Sequence, residues 1–313
     1  MRNDKRIMRS GRVAGVLQTG CIAVLFLLMP AGAEAGVPVI ANQRVTDITT
    51  RSFSVILTVN EPSTPTLSLF AADCMTPASG FSSTLQQNAT SGNMRITVRG
   101  LTAATGYCYQ LLLTSLSTSE VTTTAAVPVT TMSAIVRTAP SGLNIVPVGN
   151  DILKAPTVHL PTGATRDTVL STVELLNGSA AAPLSLLLST NTGSDYFNLN
   201  NLFTTTTGNT LIVTGGERVK ISENHGIGGC RIERFCTLPT ASGGTSPRAF
   251  IQANANDIDA SGGVNILDIL RVVGGKGTTS SGPCFNSDLD LNGDGSIDAA
   301  DYVIIKGGFN GLP

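Results

Sequence analysis

The sequence predicts a mainly β chain, with tandem β-sandwich domains followed by a small α-helical module built on two acidic loops. Three observations predict it. Short runs that alternate Ser or Thr with branched apolar residues recur along the first 250 residues, with Gly, Asn and Ser clusters between them. Charged residues are only 13% of the 313 and aromatic ones 4%, with no Trp, which excludes a coiled coil, a collagen and a highly charged disordered chain. Near the C-terminus an Asp-rich pattern occurs twice, at an offset of 33 residues. The length suits two or three domains. A formal net charge of −1, with no basic stripe beyond the N-terminus, argues against a nucleic-acid binder.

Residues 1–35 read as a secretory signal peptide. Arg2, Lys5, Arg6, Arg9 and Arg12 form a basic start, Ile22 to Met29 end an apolar middle, and Ala31-Gly32-Ala33-Glu34-Ala35 supplies small residues for cleavage. The chain is expected to be secreted, extracellular or at a cell surface, with no membrane span after cleavage, since no later segment has 18 consecutive apolar residues. Five cysteines then remain in a compartment where disulfides persist: Cys74, Cys108, Cys230, Cys236 and Cys284. None forms a Cys-x-x-Cys pair, so zinc is not indicated.

Within residues 36–140, strands are expected at Ser52–Val59, Thr66–Phe70, Met94–Arg99 and Thr105–Leu113, with Ile135–Thr138 closing the sheet. Gly100-Leu101-Thr102-Ala103-Ala104-Thr105-Gly106-Tyr107-Cys108-Tyr109 resembles the E–F corner and F strand of a fibronectin type III domain, with Tyr107 as the corner tyrosine. Val45-Thr46-Asp47-Ile48-Thr49 and Ser52-Phe53-Ser54-Val55 resemble that family's A–B region, without its strand-B Trp. The resemblance implies that Cys74, just after strand C, lies beside Cys108 at the start of strand F, within disulfide reach.

Residues 141–250 read as a second β-sandwich. Strands are expected at Arg166–Leu175, Leu184–Leu188, Tyr196–Leu199, Thr210–Thr214 and Arg248–Gln252. Phe197-Asn198-Leu199, then Thr207-Gly208-Asn209-Thr210-Leu211, and the closing Ala241-Ser242-Gly243-Gly244 with Asn256-Asp257 resemble a cadherin-type repeat, but Ser242 stands where that family has a calcium-binding Asp. No metal is assigned there. Cys230 and Cys236 are close enough in sequence for a short loop-closing bridge.

Residues 251–313 carry the strongest signal. This window holds eight Asp against Arg271, Lys276 and Lys306. Asp257, Asp259, Ser261, Asn265 and Asp268 occupy the first, third, fifth, ninth and twelfth places of one loop, and Asp290, Asn292, Asp294, Asp298 and Asp301 those of the other. A hard cation such as calcium takes six to eight oxygens, and this alternation turns carboxylates inward around it. Gly262 and Gly295 hold the sixth place, where the loop turns sharply, and Gly263 and Ser296 offer a carbonyl from the seventh. Ile269–Val273 and Tyr302–Ile305 are expected to be helical, each ending at a Gly pair. Two loop–helix units, without a helix entering either loop, resemble a type I dockerin. The resemblance implies two calcium ions, a cohesin-like or other surface-protein partner, and a role for Ile266, Leu267, Ala299 and Ala300 in partner choice.

An enzyme is not expected. His159 and His225 are the two histidines, and no nucleophile elbow, phosphate loop or His-Glu-x-x-His motif occurs. Glu174, Glu217 and Glu223 are scattered, and nothing in their spacing sets two carboxylates across a cleft. The expectation is a secreted, modular, non-catalytic protein docked through its calcium-binding tail, in a setting of polysaccharide processing. The alternative is a calcium-stabilised adhesin that binds glycans or surfaces through its β-domains.

Overall fold

A computed structural model describes residues 36–88, 91–133, 152–154, 160, 164–176, 180, 182–190, 195–202, 213, 215–226, 229–238, 256–282 and 284–309. The signal segment, His159, the expected strands at Ile135–Thr138 and Arg248–Gln252, most of Thr210–Thr214 and the cadherin-like 207–211 and 241–244 lie outside the described residues.

The first β unit has eight strands: β1 (Ile40–Thr46), β2 (Ser52–Val59), β3 (Ser63–Ala71), β4 (Ser82–Asn88), β5 (Asn93–Arg99), β6 (Gly106–Ser115), β7 (Val121–Thr123) and β8 (Val127–Thr130). They form one sheet in the order β1-β2-β5-β4 and a second in the order β3-β6-β7, with β8 also pairing β6. All pairs are antiparallel. The second sheet therefore also has four strands, with β7 and β8 each pairing with a different stretch of β6. Strand period puts Phe53, Val55, Leu57 and Val59 of β2 inward, against Met94, Ile96 and Val98 of β5 and Tyr109, Leu111 and Leu113 of β6. Tyr107 hydroxyl accepts from the Thr102 amide at 3.0 Å, so the tyrosine ties the β5–β6 crossover to its own strand. Cys74, in a turn at φ 57°, is bonded to Cys108, with Cα atoms 5.1 Å apart.

The second β unit is built on β9 (Ile152–Lys154), β10 (Leu170–Leu175), β11 (Leu184–Leu187), β12 (Tyr196–Asn198), β13 (Arg218–Asn224) and β14 (Arg231–Thr237). A four-stranded sheet, β11-β10-β13-β14, covers a two-stranded one, β12-β9. Their shared core includes Leu153, Val173, Phe197, Val219 and Ile221. The strand expected from Arg166 starts late. Arg166–Thr168 is a 3-10 turn, closed by Val169 amide donating to Arg166 carbonyl at 3.1 Å. Its polar Arg-Asp-Thr text lacks an inward apolar partner until Val169 and Leu170.

The bridge expected between Cys230 and Cys236 does not form. Cys230 is bonded to Cys284, with Cα atoms 5.2 Å apart, and Cys236 is a free thiol in the second core. The physical reason is strand geometry. Cys230 sits at the turn before β14 and Cys236 near its end, so six extended residues separate them by about 20 Å, far beyond the roughly 5.5 Å that a disulfide spans.

The two β units meet along β2 and β5. Every residue of β2 after Ser52 is buried, although only alternate side chains enter the first core. The second unit covers the other face, and it does so through polar groups. Asn93 side-chain amide donates to the carbonyls of Thr168 (2.8 Å) and Asn224 (2.7 Å), and Asn224 donates to Thr58 hydroxyl at 2.8 Å. Asp47 carboxylate accepts from Ser185 amide (3.0 Å) and Ser185 hydroxyl (2.6 Å) and pairs with Arg95 at 3.2 Å. At Gly226, φ is 84° and an added Cβ would fall 2.0 Å from Ser91 carbonyl oxygen, so only glycine permits this approach of the β13–β14 hairpin to the first unit.

The C-terminal module has two helices, α1 (Ile266–Gly275) and α2 (Ala299–Gly307). Ile258, Val264, Val272, Phe285, Leu289, Ile297 and Ile305 form its core. Among the described residues no helix is long and apolar enough to cross a membrane.

Candidate functional site

Each acidic loop is a network of backbone amides turned onto carboxylates. In the first, Asp257 accepts from the Ser261 and Gly262 amides, each at 2.9 Å. Asp268 accepts from Asp259 and Asn265 amides, each at 2.9 Å. In the second, Asp290 accepts from Gly293, Asp294 and Gly295 amides at 2.9–3.1 Å. Asp301 accepts from Leu291 (2.7 Å), Asn292 (3.3 Å) and Asp298 (2.8 Å). The first-place carboxylate thus gathers the sixth-place amide in both loops, and the twelfth-place carboxylate gathers the third- and ninth-place amides. The sixth-place Gly262 and Gly295 take φ 104° and 85°, the left-handed turn that brings those amides round.

The same residues start the helices. Asn265 caps α1 and Asp298 caps α2, and in both the third helical residue, Asp268 or Asp301, returns a bond to the cap amide. A carboxylate there also faces the positive end of the helix. The twelfth-place Asp therefore serves loop and helix at once, which explains why it is fully buried in both copies.

The donor set fits a hard cation. Carboxylate oxygens of Asp257, Asp259 and Asp268 lie within 4.8 Å of one another, and all three residues are buried. Buried carboxylates repel unless a cation or strong hydrogen bonds compensate them, and oxygen-only donors suit calcium over a softer metal. Ser261 and Asn265 line the same loop, with Asn265 side-chain amide donating to Ser261 hydroxyl at 3.0 Å and to Gly263 carbonyl at 3.3 Å. In the second loop Asn292, Asp294 and Asp298 are exposed, and Asn292 donates to Asp294 at 2.8 Å. Val264 and Ile297, the eighth-place residues, both enter the module core, where Ile297 pairs along its backbone with Gly277 and Thr278. The linker between the helices thereby lies alongside loop two, with Ser280 amide donating to Gly295 carbonyl and an isolated bridge between Thr279 and Ser296.

Ile266 and Leu267 stand 47% and 53% exposed at the start of α1, and Ala299 and Ala300 are exposed at the start of α2. Sequence reading missed the rest of this surface. Leu270, Val273, Tyr302 and Val303 are also exposed, while Val272 and Ile305 face the core. The signal was there: α1 has more apolar residues than one buried stripe needs.

The module's other side is held by the second β unit, through residues that no motif marked. Arg234 of β14 grips Asp288 with two bonds of 2.7 Å. Arg271 of α1 lies over the Phe235 ring, 3.9 Å from its centroid. The Cys230–Cys284 bridge joins the same surfaces, and Arg218 of β13 reaches Asp259. Beneath this contact Glu223 is almost wholly buried, and burial pushes its carboxyl up to about 7 against the pull of Arg234. Burial likewise pushes the Cys236 thiol up to about 12, which keeps it protonated and unreactive.

Glu174 is tied to Arg44 and Lys220, and Glu217 accepts from Gly215 amide at 2.7 Å. His225 is buried at the end of β13, with its backbone amide on Cys230 carbonyl.

Residues 255–310 match the family model of the dockerin type I domain. No curated protein matches the chain. The match covers both acidic loops and both helices, so the C-terminal module is dockerin-like, a protein–protein docking module for partners of the cohesin kind. Dockerin domains typically bind calcium, and their proteins are typically extracellular or at the cell surface.

Proposed function

We propose that this protein is a secreted, non-catalytic modular protein whose two β units carry a calcium-stabilised docking module to a cohesin-like partner or a cell-surface assembly, in a setting of polysaccharide processing. The observation that carries the reading is the division of the C-terminal module into two sides. One side is spent on the second β unit. The other leaves Ile266, Leu267, Leu270 and Val273 of α1, with Tyr302 and Val303 of α2, in solvent. Exposed apolar side chains at this density on two short helices suit a partner surface. The two disulfides suit an oxidising compartment, in keeping with the N-terminal signal. The twelve loop residues named above supply two calcium sites: Asp257, Asp259, Ser261, Gly263, Asn265 and Asp268, and Asp290, Asn292, Asp294, Ser296, Asp298 and Asp301. When bound, calcium would neutralise the inward carboxylates and lock each loop to its helix.

The test is binding of the full chain to immobilised type I cohesin modules, in calcium and in chelator. Calcium-dependent binding is expected, lost in Leu267→Arg or Val303→Arg with the fold intact. No binding to any cohesin module in calcium, by a chain whose module is folded, overturns the reading.

A second reading, an adhesin that binds glycans through its β-domains, draws on one feature. A cleft of about 180 Å³ lies where the β units meet, lined by polar Arg44, Ser222, Asn224 and Arg231 and by apolar Ile56 and Leu170. Such amides, hydroxyls and guanidiniums suit a hydroxylated ligand. Saturable binding of a glycan that Asn224→Ala removes would favour it.

A further inference from the structure

The two acidic loops are built alike but are not supported alike. In loop two the third-place residue, Asn292, is held from within. Its side-chain oxygen Oδ1 accepts from Asp294 amide at 3.0 Å and its side-chain nitrogen donates to Asp294 carboxylate at 2.8 Å. In loop one the third-place residue is Asp259, and the fifth is Ser261, whose hydroxyl donates instead to Gly263 carbonyl at 3.3 Å. One Asp259 oxygen still accepts from Ser261 amide, at 3.0 Å. The other, Oδ2, is met by the second β unit. Arg218 Nε donates to Asp259 backbone carbonyl at 2.7 Å, and its Nη2 lies 3.3 Å from Asp259 Oδ2. A planar guanidinium that spans the side chain and main chain of one residue fixes both. Asp259 is buried, while the Arg218 side chain remains about a third exposed. Arg218 itself is placed by the sheet, opposite Thr237 in the β13–β14 register and with its carbonyl accepting from Leu176 amide.

We infer that Arg218 is a positioning residue for the first calcium loop, so that the second β unit completes an ion site of the docking module. The inference rests on the calcium-dependent docking reading. Metal-binding carboxylates are commonly oriented by hydrogen bonds on their outer oxygens, and loss of such a partner weakens metal affinity about 10- to 100-fold. Arg218 fills that place for Asp259. Loop one is therefore complete only in the whole chain, whereas loop two carries its own support.

The test is a calcium titration by calorimetry of the full chain, stripped of metal, with hydrogen exchange as the check on folding. The wild type is expected to bind in two classes, and Asp268→Asn identifies which belongs to loop one. Arg218→Ala is expected to weaken that class about tenfold and to leave the other within about twofold, with α1, α2, β13 and β14 still protected. Arg218→Lys, which keeps the charge but loses the fork, is expected to fall between. An unchanged loop-one class, an equal shift in both classes, or tighter binding after Arg218→Ala overturns the inference. Tighter binding would mean that the guanidinium acts as a competing charge. Failure of the wild type itself to bind calcium overturns the inference together with the docking reading, and that outcome is recognisable without any variant.

Discussion

Asp301→Ala should unfold the docking module while leaving both β units standing. Asp301 is fully buried and receives three backbone amides, two of them short, from Leu291 at 2.7 Å and Asp298 at 2.8 Å. The third, from Asn292 at 3.3 Å, is the longest and weakest and adds little to the sum. Alanine leaves the two short donors buried without an acceptor. A hydrogen bond to a charged group contributes about 1.5–3 kcal/mol, and an orphaned buried donor costs a similar amount, so the loss is about 4 kcal/mol. One of the two bonds also closes the capping box of α2, so helix and loop fail together. The module core is seven side chains, too small to absorb such a loss. The assay is hydrogen exchange read by mass spectrometry, which isolates two short helices from a chain dominated by strands. Protection of α1 and α2 should fall by about 1,000-fold, the equivalent of about 4 kcal/mol, with β2, β5 and β6 unchanged. Asp301→Asn, which keeps one acceptor oxygen, should lose about half as much free energy. A fall in helix protection smaller than about tenfold would refute the reasoning, because the buried amides would then have found other acceptors.

Other perturbations follow from the contacts between units. Gly226→Ala forces a Cβ into Ser91 carbonyl at a positive φ and should loosen the two β units from each other, read as faster exchange at Asn93 and Thr58 with the first core intact. Glu223 has a carboxyl raised from 4.5 to about 7 by burial, so its protonated form favours the fold. That stability is fully present below about pH 4.5 and is lost as pH rises to about 7, a swing of about 3 kcal/mol. Glu223→Gln should flatten the melting temperature across that window, and an unchanged slope would count against burial as the cause. Cys284→Ser opens a covalent loop of 54 residues in sequence separation, which should cost about 4 kcal/mol by loop entropy and appear as greater exchange across the module. Cys236 should stay unlabelled by a thiol reagent in the folded variant, whereas Cys230 should react.

Much was legible where local chemistry is periodic. The alternating text of Ser52–Val59 predicted β2 residue for residue, and Met94–Arg99 predicted all but one residue of β5. The acidic loops were legible because ligand spacing, the sixth-place glycine and the helix cap are all written within twelve consecutive residues. Strand β4 was missed because it is an exposed edge, Ser82–Asn88, polar but for the exposed Leu85 and so without an inward stripe. Strands β13 and β14 were missed because both faces meet protein, so charged Arg218, Lys220, Glu223 and Arg234 interrupt the alternation. The short bridge proposed for Cys230 and Cys236 followed proximity in sequence, which a strand undoes.

The sequence by itself determined the mainly β character, the two acidic loops and the helices that leave them, since each depends on residues within a dozen positions of one another. Only the tertiary structure decided what those parts are attached to. The polar face of β2, the Cys230–Cys284 pairing and the reach of Arg218 to Asp259 join residues 41 to 166 positions apart. Such contacts are chosen by which surfaces pack together, and packing is a property of assembled faces that no single stretch of residues contains.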